Sequence, residues 1–152
     1  MAGVFAGTFS HSLDSKGRVI IPANFREKLG TGFTIALNSS SDALAVYPLE
    51  KWEAKSELLS RVRDTDDEGM DYVRYIMANA VIDMEMDAQG RVLVPLPLRE
   101  AVGLSRDLAF VGMLDHVEIW DAAAYAEKAR LLRENALNSR RHVDTTYGRV
   151  NP

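Results

Sequence analysis

Asp14-Ser15-Lys16-Gly17-Arg18-Val19-Ile20-Ile21-Pro22 returns as Asp87-Ala88-Gln89-Gly90-Arg91-Val92-Leu93-Val94-Pro95, displaced by 73 positions. Working outward, the same offset pairs Arg26 with Arg99 and Gly30 with Gly103. It then pairs Leu37 with Phe110, Asp42 with Asp115, Val46 with Ile119, Tyr47 with Trp120 and Trp52 with Tyr125. As a sequence match the correspondence runs ungapped for roughly forty residues, which marks a true internal repeat. Two copies are too few for an open solenoid. They predict a closed, pseudo-two-fold unit in which each half completes the core of the other.

Each copy carries the same punctuation. Val19-Ile20-Ile21 and Val92-Leu93-Val94 are continuous apolar runs, the pattern of a short strand covered on both faces. Pro22 and Pro95 suit the first turn of a helix of about two turns, and Gly30 and Gly103 are placed to stop it in a left-handed cap. Phe33, Ile35 and Leu37, then Leu44 and Val46 beyond a turn at 38–42, predict a hairpin with one buried face. Its twin runs through Leu108 to Phe110 and Val117 to Ile119.

Between the copies, Leu49, Trp52, Leu59 and Val62 form a helical stripe. The acidic stretch from Asp64 to Gly69, with Asp66, Asp67 and Glu68 inside it, predicts a break before a second helix around Asp71 to Asn79. After the second copy, Tyr125, Ala129, Leu132 and Ala136 share a helical face, and periodicity fades from Asn138. The expected organisation is repeat 1 over 8–51, a helical connector over 52–80, repeat 2 over 81–124, and a C-terminal helix and tail over 125–152. The fold class is α+β, a barrel formed by two internal repeats and flanked by helices.

At 152 residues and 47% hydrophobic, the chain can bury an ordinary core. The absence of cysteine excludes disulfides and thiolate metal sites and fits a reducing compartment. Met1 to Ser10 carries no Lys or Arg ahead of its apolar residues, and no apolar run approaches a membrane span, so a cytoplasmic protein with no membrane partner is expected. His11, His116 and His142 lack ligand spacing. Asp83, Glu85 and Asp87 alternate as if along one strand face, which reads as a solvated face rather than a cation site. The expectation is no metal, no cofactor, no small-molecule substrate and no enzyme, since no nucleophile elbow, phosphate loop or His-Glu-x-x-His helix is present.

The loops hold the chemistry. Asp14 and Asp87 suit turn-initiating acceptors, and Gly17 and Gly90 suit positive φ. Lys16 and Arg18 at one loop tip suit groove entry, because Arg can bridge two acceptors on guanine or clamp a phosphate and Lys supplies a point charge. The alternative is that Arg18 folds back onto Asp14 and Lys16 is merely solvated. Gln89 stands where Lys16 stands, so the first loop is the more positive, and Arg91 is either a weaker contact or a structural partner of Asp87. Arg26 and Arg99 read as helix-surface residues pairing with acidic groups across the pseudo-dyad, with Arg26 a secondary DNA candidate. Arg140 and Arg141 read as a solvated tail. A net charge of −4 opposes all nucleic-acid binding except through a local basic patch multiplied by self-assembly.

Leu13 to Pro22 followed by Phe25-Arg26, and Asp87 to Arg91 with Pro95 and Arg99, together with Tyr47-Pro48-Leu49 and Ile119-Trp120-Asp121, resemble the MraZ family over nearly the whole chain. The resemblance implies a swapped-hairpin barrel of the SpoVT-AbrB type, in which one chain is similar to a two-chain AbrB-like unit. It further implies a ring-shaped homo-oligomer, nucleoid-associated, that binds short direct repeats of double-stranded DNA upstream of its own division and cell-wall gene cluster and represses it. Lys16, Arg18, Arg91 and Arg26 are the DNA-binding candidates on this basis. Two rival classes are an AbrB-like antitoxin, against which the double motif counts, and a structural protein-interaction oligomer.

Overall fold

The computed structural model describes residues 3–149 and divides into two compact units, Met1–Ala122 and Ala123–Pro152. Repeat 1 supplies β1 (Thr8–Ser12), β2 (Arg18–Ile20), α1 (Ala23–Leu29), β3 (Phe33–Leu37) and β4 (Leu44–Tyr47). The helices α2 (Leu49–Leu59) and α3 (Asp67–Ala78) follow. Repeat 2 supplies β5 (Val81–Met84), β6 (Arg91–Leu93), α4 (Leu96–Ala101), β7 (Asp107–Gly112) and β8 (Val117–Asp121), and α5 (Ala122–Tyr147) closes the chain.

The repeats exchange strands. A six-stranded antiparallel sheet runs β1-β7-β8-β4-β3-β5, so β1 lies on the hairpin of repeat 2 and β5 on the hairpin of repeat 1. β2 and β6 make a separate two-stranded ribbon in which Val19 faces Val92, and β4 meets β8 with Ala45 facing Glu118. Equivalent positions face one another at both junctions, so the pseudo-dyad passes through them. This is the swapped-hairpin barrel. Its core gathers Val19, Ile21, Phe25, Phe33 and Ile35 of repeat 1 with Val92, Val94, Leu98, Leu108 and Phe110 of repeat 2, and neither repeat could close it alone.

The dyad is imperfect in an informative way. Ile35 faces Val46, whereas Phe110 faces Ile119, the partner of Val46 in the repeat, so Phe110 is the structural counterpart of Ile35 and not of Leu37. The strand slips by two residues. The connection from α1 to β3 spans 30–32 but that from α4 to β7 spans 102–106, and the hairpin loops compensate, 38–43 against 113–116. An even slip keeps every side chain on its face, which is why the sequence match survives it.

Four other expectations are corrected. The central ribbon is covered on one face only: Ile21 is 1% exposed but Ile20 is 40% and Leu93 53% exposed. The first hairpin is instead buried on both faces, because Trp52 of α2 and Ile76 of α3 pack on Ala36, Ala45 and Tyr47. The acidic stretch starts α3 rather than preceding it. Asp66 caps the helix by accepting the Gly69 amide at 2.9 Å, and Asp67 and Glu68 sit in the first turn, where carboxylates oppose the helix dipole. Finally α5 continues past Asn138 to Tyr147, where Gly148 follows, with Arg140 paired to Asp144 one turn on.

Pro22 and Pro95 stand immediately before α1 and α4. Gly30 ends α1 at φ 64°, ψ −145°, a region essentially closed to residues with a Cβ and distinct from the left-handed cap the sequence suggests. Because the ribbon has one dry face, Ile21→Ala should cost about 2–5 kcal/mol in denaturant unfolding, whereas Ile20→Ala next to it should cost well under about 1 kcal/mol. Equal costs would show the outer face of the ribbon to be covered in solution.

Candidate nucleic-acid interface

Two loops flank the ribbon, 14–18 entering β2 and 87–91 entering β6, and they are built alike bond for bond. The Asp14 amide donates to the Arg18 carbonyl at 2.8 Å, and the Gly17 amide returns to the Asp14 carbonyl at 3.1 Å. The Asp14 carboxylate accepts the Lys16 and Arg18 amides on Oδ1, both at 2.9 Å, and Arg18 Nε on Oδ2 at 2.8 Å. Asp87 does the same for Gln89, Arg91 and Arg91 Nε, at 2.9, 2.9 and 2.7 Å. A short acidic side chain at the turn start is required for this, as is Gly at φ 80° and 78° three residues on.

Those bonds hold both carboxyls below the ordinary aspartate range. The main cause is the amide donated by Arg18 or Arg91, with burial opposing and the guanidinium adding to it. Arg18 and Arg91 therefore do fold back on their aspartates, but only through Nε. Among the described residues their terminal nitrogens take no partner, and that end-on pair is the edge that can bridge two acceptors. The ion pair orients the guanidinium without exhausting it.

The ribbon register sets the spacing. Arg18 faces Leu93 and Arg91 faces Ile20, so the two arginines lie on the outer face two positions apart, roughly 7 Å along the strand axis. The exposed Ile20 and Leu93 share that face. Lys16 is exposed at the tip of the first loop, with Gln89 at the tip of the second.

Arg26 and Arg99 find no acidic partner among the described residues, and the expected acid pairing is replaced by something tighter. Arg26 Nε donates to the Ile21 carbonyl at 2.8 Å and Arg99 Nε to that of Val94 at 2.9 Å. Each guanidinium then lies under the loop of the other repeat. A Cβ on Gly90 would fall 2.6 Å from Arg26, and one on Gly17 2.7 Å from Arg99. Backbone bonds run beside them, Ile21 N–H to Gly90 O and Val94 N–H to Gly17 O, both 2.9 Å. Each loop is thus held by its own aspartate and by the opposite repeat. Sequence periodicity does not show this; its one trace there is the recurrence of Arg26 as Arg99 and of Gly17 as Gly90 at the same offset.

The histidines and the Asp83–Asp87 acids assemble no metal site among the described residues. His11 lies edge-on to Phe110, and burial first, then Arg26, pulls it below its usual range. His116 stacks on Tyr47 with centroids 4.9 Å apart and meets Asp115 at 2.7 Å. His142 lies on α5. Asp83 sits at φ 56° at an irregularity in β5, which ends at Met84, so Asp83, Glu85 and Asp87 do not share a strand face. No group of acids and histidines able to hold a metal occurs among the described residues.

A single-chain swapped-hairpin barrel that presents two aspartate-locked arginine loops on one ribbon defines the class. The family profile described as "MraZ protein, putative antitoxin-like" matches residues 4–72 and 77–150. The chain is 41% identical over 127 residues to a "Transcriptional regulator MraZ" of Desulfitobacterium hafniense, covering 84% of this chain and 87% of that one. Proteins of the same name from Pediococcus pentosaceus (38% over 132 residues, 87% and 91% covered) and Acetivibrio thermocellus (40% over 122 residues, 80% and 84% covered) are similar to it as well. The chain belongs to the MraZ family.

Because both aspartate carboxyls are depressed, their contribution to loop order is present above the unfolded aspartate value and lost only as pH falls through the lower folded value. An NMR pH titration should give Asp14 and Asp87 midpoints below the ordinary aspartate value, with the Lys16 and Gln89 amide shifts following the same curves. Ordinary midpoints would mean the locks are open in solution.

Proposed function

We propose that this chain is a sequence-specific DNA-binding transcriptional regulator, using Arg18 and Arg91 as base or phosphate contacts, Lys16 as a backbone contact, and Arg26 as a support beneath the second loop. The observation that carries the reading is the paired loops: both present a guanidinium fixed by the same carboxylate lock, outward-facing, on a chain whose net charge is −4. Such a lock stabilises a turn, but it also removes the entropy that a long cation otherwise loses on docking. The relatives named transcriptional regulators support the same reading.

The exposed Ile20 and Leu93 between the cations suit apolar contact with base edges such as the thymine methyl. One barrel gives a small footprint. A ring-shaped homo-oligomer that lays several barrels on short direct repeats, at the promoter of the chain's own gene cluster, supplies the affinity that a single acidic subunit lacks. Among the described residues no helix is long and apolar enough to cross a membrane; the site of action proposed is the nucleoid in the cytoplasm, without cofactor or small-molecule substrate.

Fluorescence anisotropy with a duplex from upstream of the chain's own gene, at stated salt, tests this. Arg18→Ala should weaken binding by about 1–3 kcal/mol and narrow the preference over an unrelated duplex. Lys16→Ala should weaken both duplexes alike and lower the salt slope by about 0.9 for each bound barrel. Wild-type protein that fails to bind the upstream duplex at low salt contradicts the proposal.

A further inference from the structure

The two-residue slip between the repeats changes what lies beside each loop. In repeat 2 the longer connection 102–106 brings Ser105 and Arg106 against the first loop, where the Leu13 amide donates to the Arg106 carbonyl at 2.8 Å. A cleft opens there, lined by Asp14, Ser15, Arg99, Ser105 and Arg106. The Asp14 charge is met by Arg18, while Asp107 and Asp121, which accepts the Ser105 amide at 3.0 Å and its hydroxyl, lie outside the lining. Arg99 and Arg106 are the cations of the lining and leave it net positive. The Arg106 guanidinium is exposed and has no partner among the described residues.

Nothing equivalent stands at the second loop. Its neighbour is the short connection Gly30-Thr31-Gly32, where the Gly32 amide bonds the Met84 carbonyl at 2.9 Å, and Ala88 replaces Ser15. Arg26 matches Arg99, but there is no counterpart to Ser105 or Arg106. With Lys16 against Gln89, two independent differences load the same side of the dyad.

We propose that the cleft beside the first loop is a backbone-phosphate site, with Arg106 as its principal contact and Arg99 as its floor, and that it gives the pseudo-symmetric barrel a single orientation on DNA. This rests on the DNA-binding reading above. A barrel with two equal faces would favour an inverted repeat, whereas one with a phosphate anchor on one flank reads its site in one direction, as direct repeats require.

The experiment is a salt series of anisotropy titrations on the full-length protein, using the upstream duplex and an unrelated one, with Arg106→Ala, Arg106→Lys and Arg18→Ala. Arg106 is exposed, so the variants keep the fold, and a thermal melt checks it. Arg106→Ala should weaken both duplexes by the same factor and lower the salt slope by about 0.9 for each bound barrel, so the wild-type to mutant ratio grows roughly threefold per bound barrel between 200 and 50 mM salt. Arg106→Lys should restore the slope. Phosphate-ethylation interference should show one strong position on a single flank of each bound box, lost in Arg106→Ala.

An unchanged slope in Arg106→Ala, or interference symmetric about each box, overturns the proposal. If Arg18→Ala still loses affinity in that case, the DNA-binding reading stands without it. If the wild-type protein binds neither duplex, both fall together.

Discussion

Everything at the proposed interface depends on a reciprocal clasp: each loop is closed by its own aspartate and held from below by the arginine of the other repeat. Arg26 reaches under Gly90 and Arg99 under Gly17, while Ile21 and Val94 donate to the same two glycine carbonyls. The glycines are needed twice over, for their positive φ and because a side chain would strike the guanidinium. The clasp couples core to surface. The strands that carry Arg18 and Arg91 pair with one another, so the clasp is complete only with both repeats in place.

Strand exchange explains why two short repeats make one stable body. A hairpin and about two turns of helix cannot bury Phe33, Ile35 or Phe110, but interleaved with the second copy they enclose a continuous core. Joining the copies in one chain removes the concentration dependence that two separate halves would have. It also frees them to diverge. Lys16 against Gln89, and the longer connection beside the first loop, are differences that two identical chains cannot show.

The sequence makes much of this legible because the turn chemistry is local. Asp14, Gly17, Pro22 and Gly30 dictate a loop, a strand end, a helix start and its stop from their own side chains, and the second copy repeats the message. What escapes it is whatever depends on partners far along the chain. The slip of β3 against β7 is silent because a shift of two leaves apolar residues on the same face. Burial of both faces of the first hairpin depends on Trp52 and Ile76, whose docking no strand pattern reports. Ile20 and Leu93 look like core from their neighbours and lie exposed, because none of the described residues covers the outer face of the ribbon. The arginine clasp is hidden for a related reason: Arg26 bonds a backbone carbonyl, an acceptor that every residue type supplies equally.

Long-range electrostatics works against DNA here, so short-range geometry must carry the contact. The most direct measurement follows the backbone amides of the intact assembly by hydrogen exchange as the upstream duplex is added. Slowed exchange at 14–18 and 87–91, and at 105–106 beside the first loop, with the sheet behind them unchanged, is the result this account predicts. Protection that appears elsewhere on the barrel, with both loops unaffected, would contradict it.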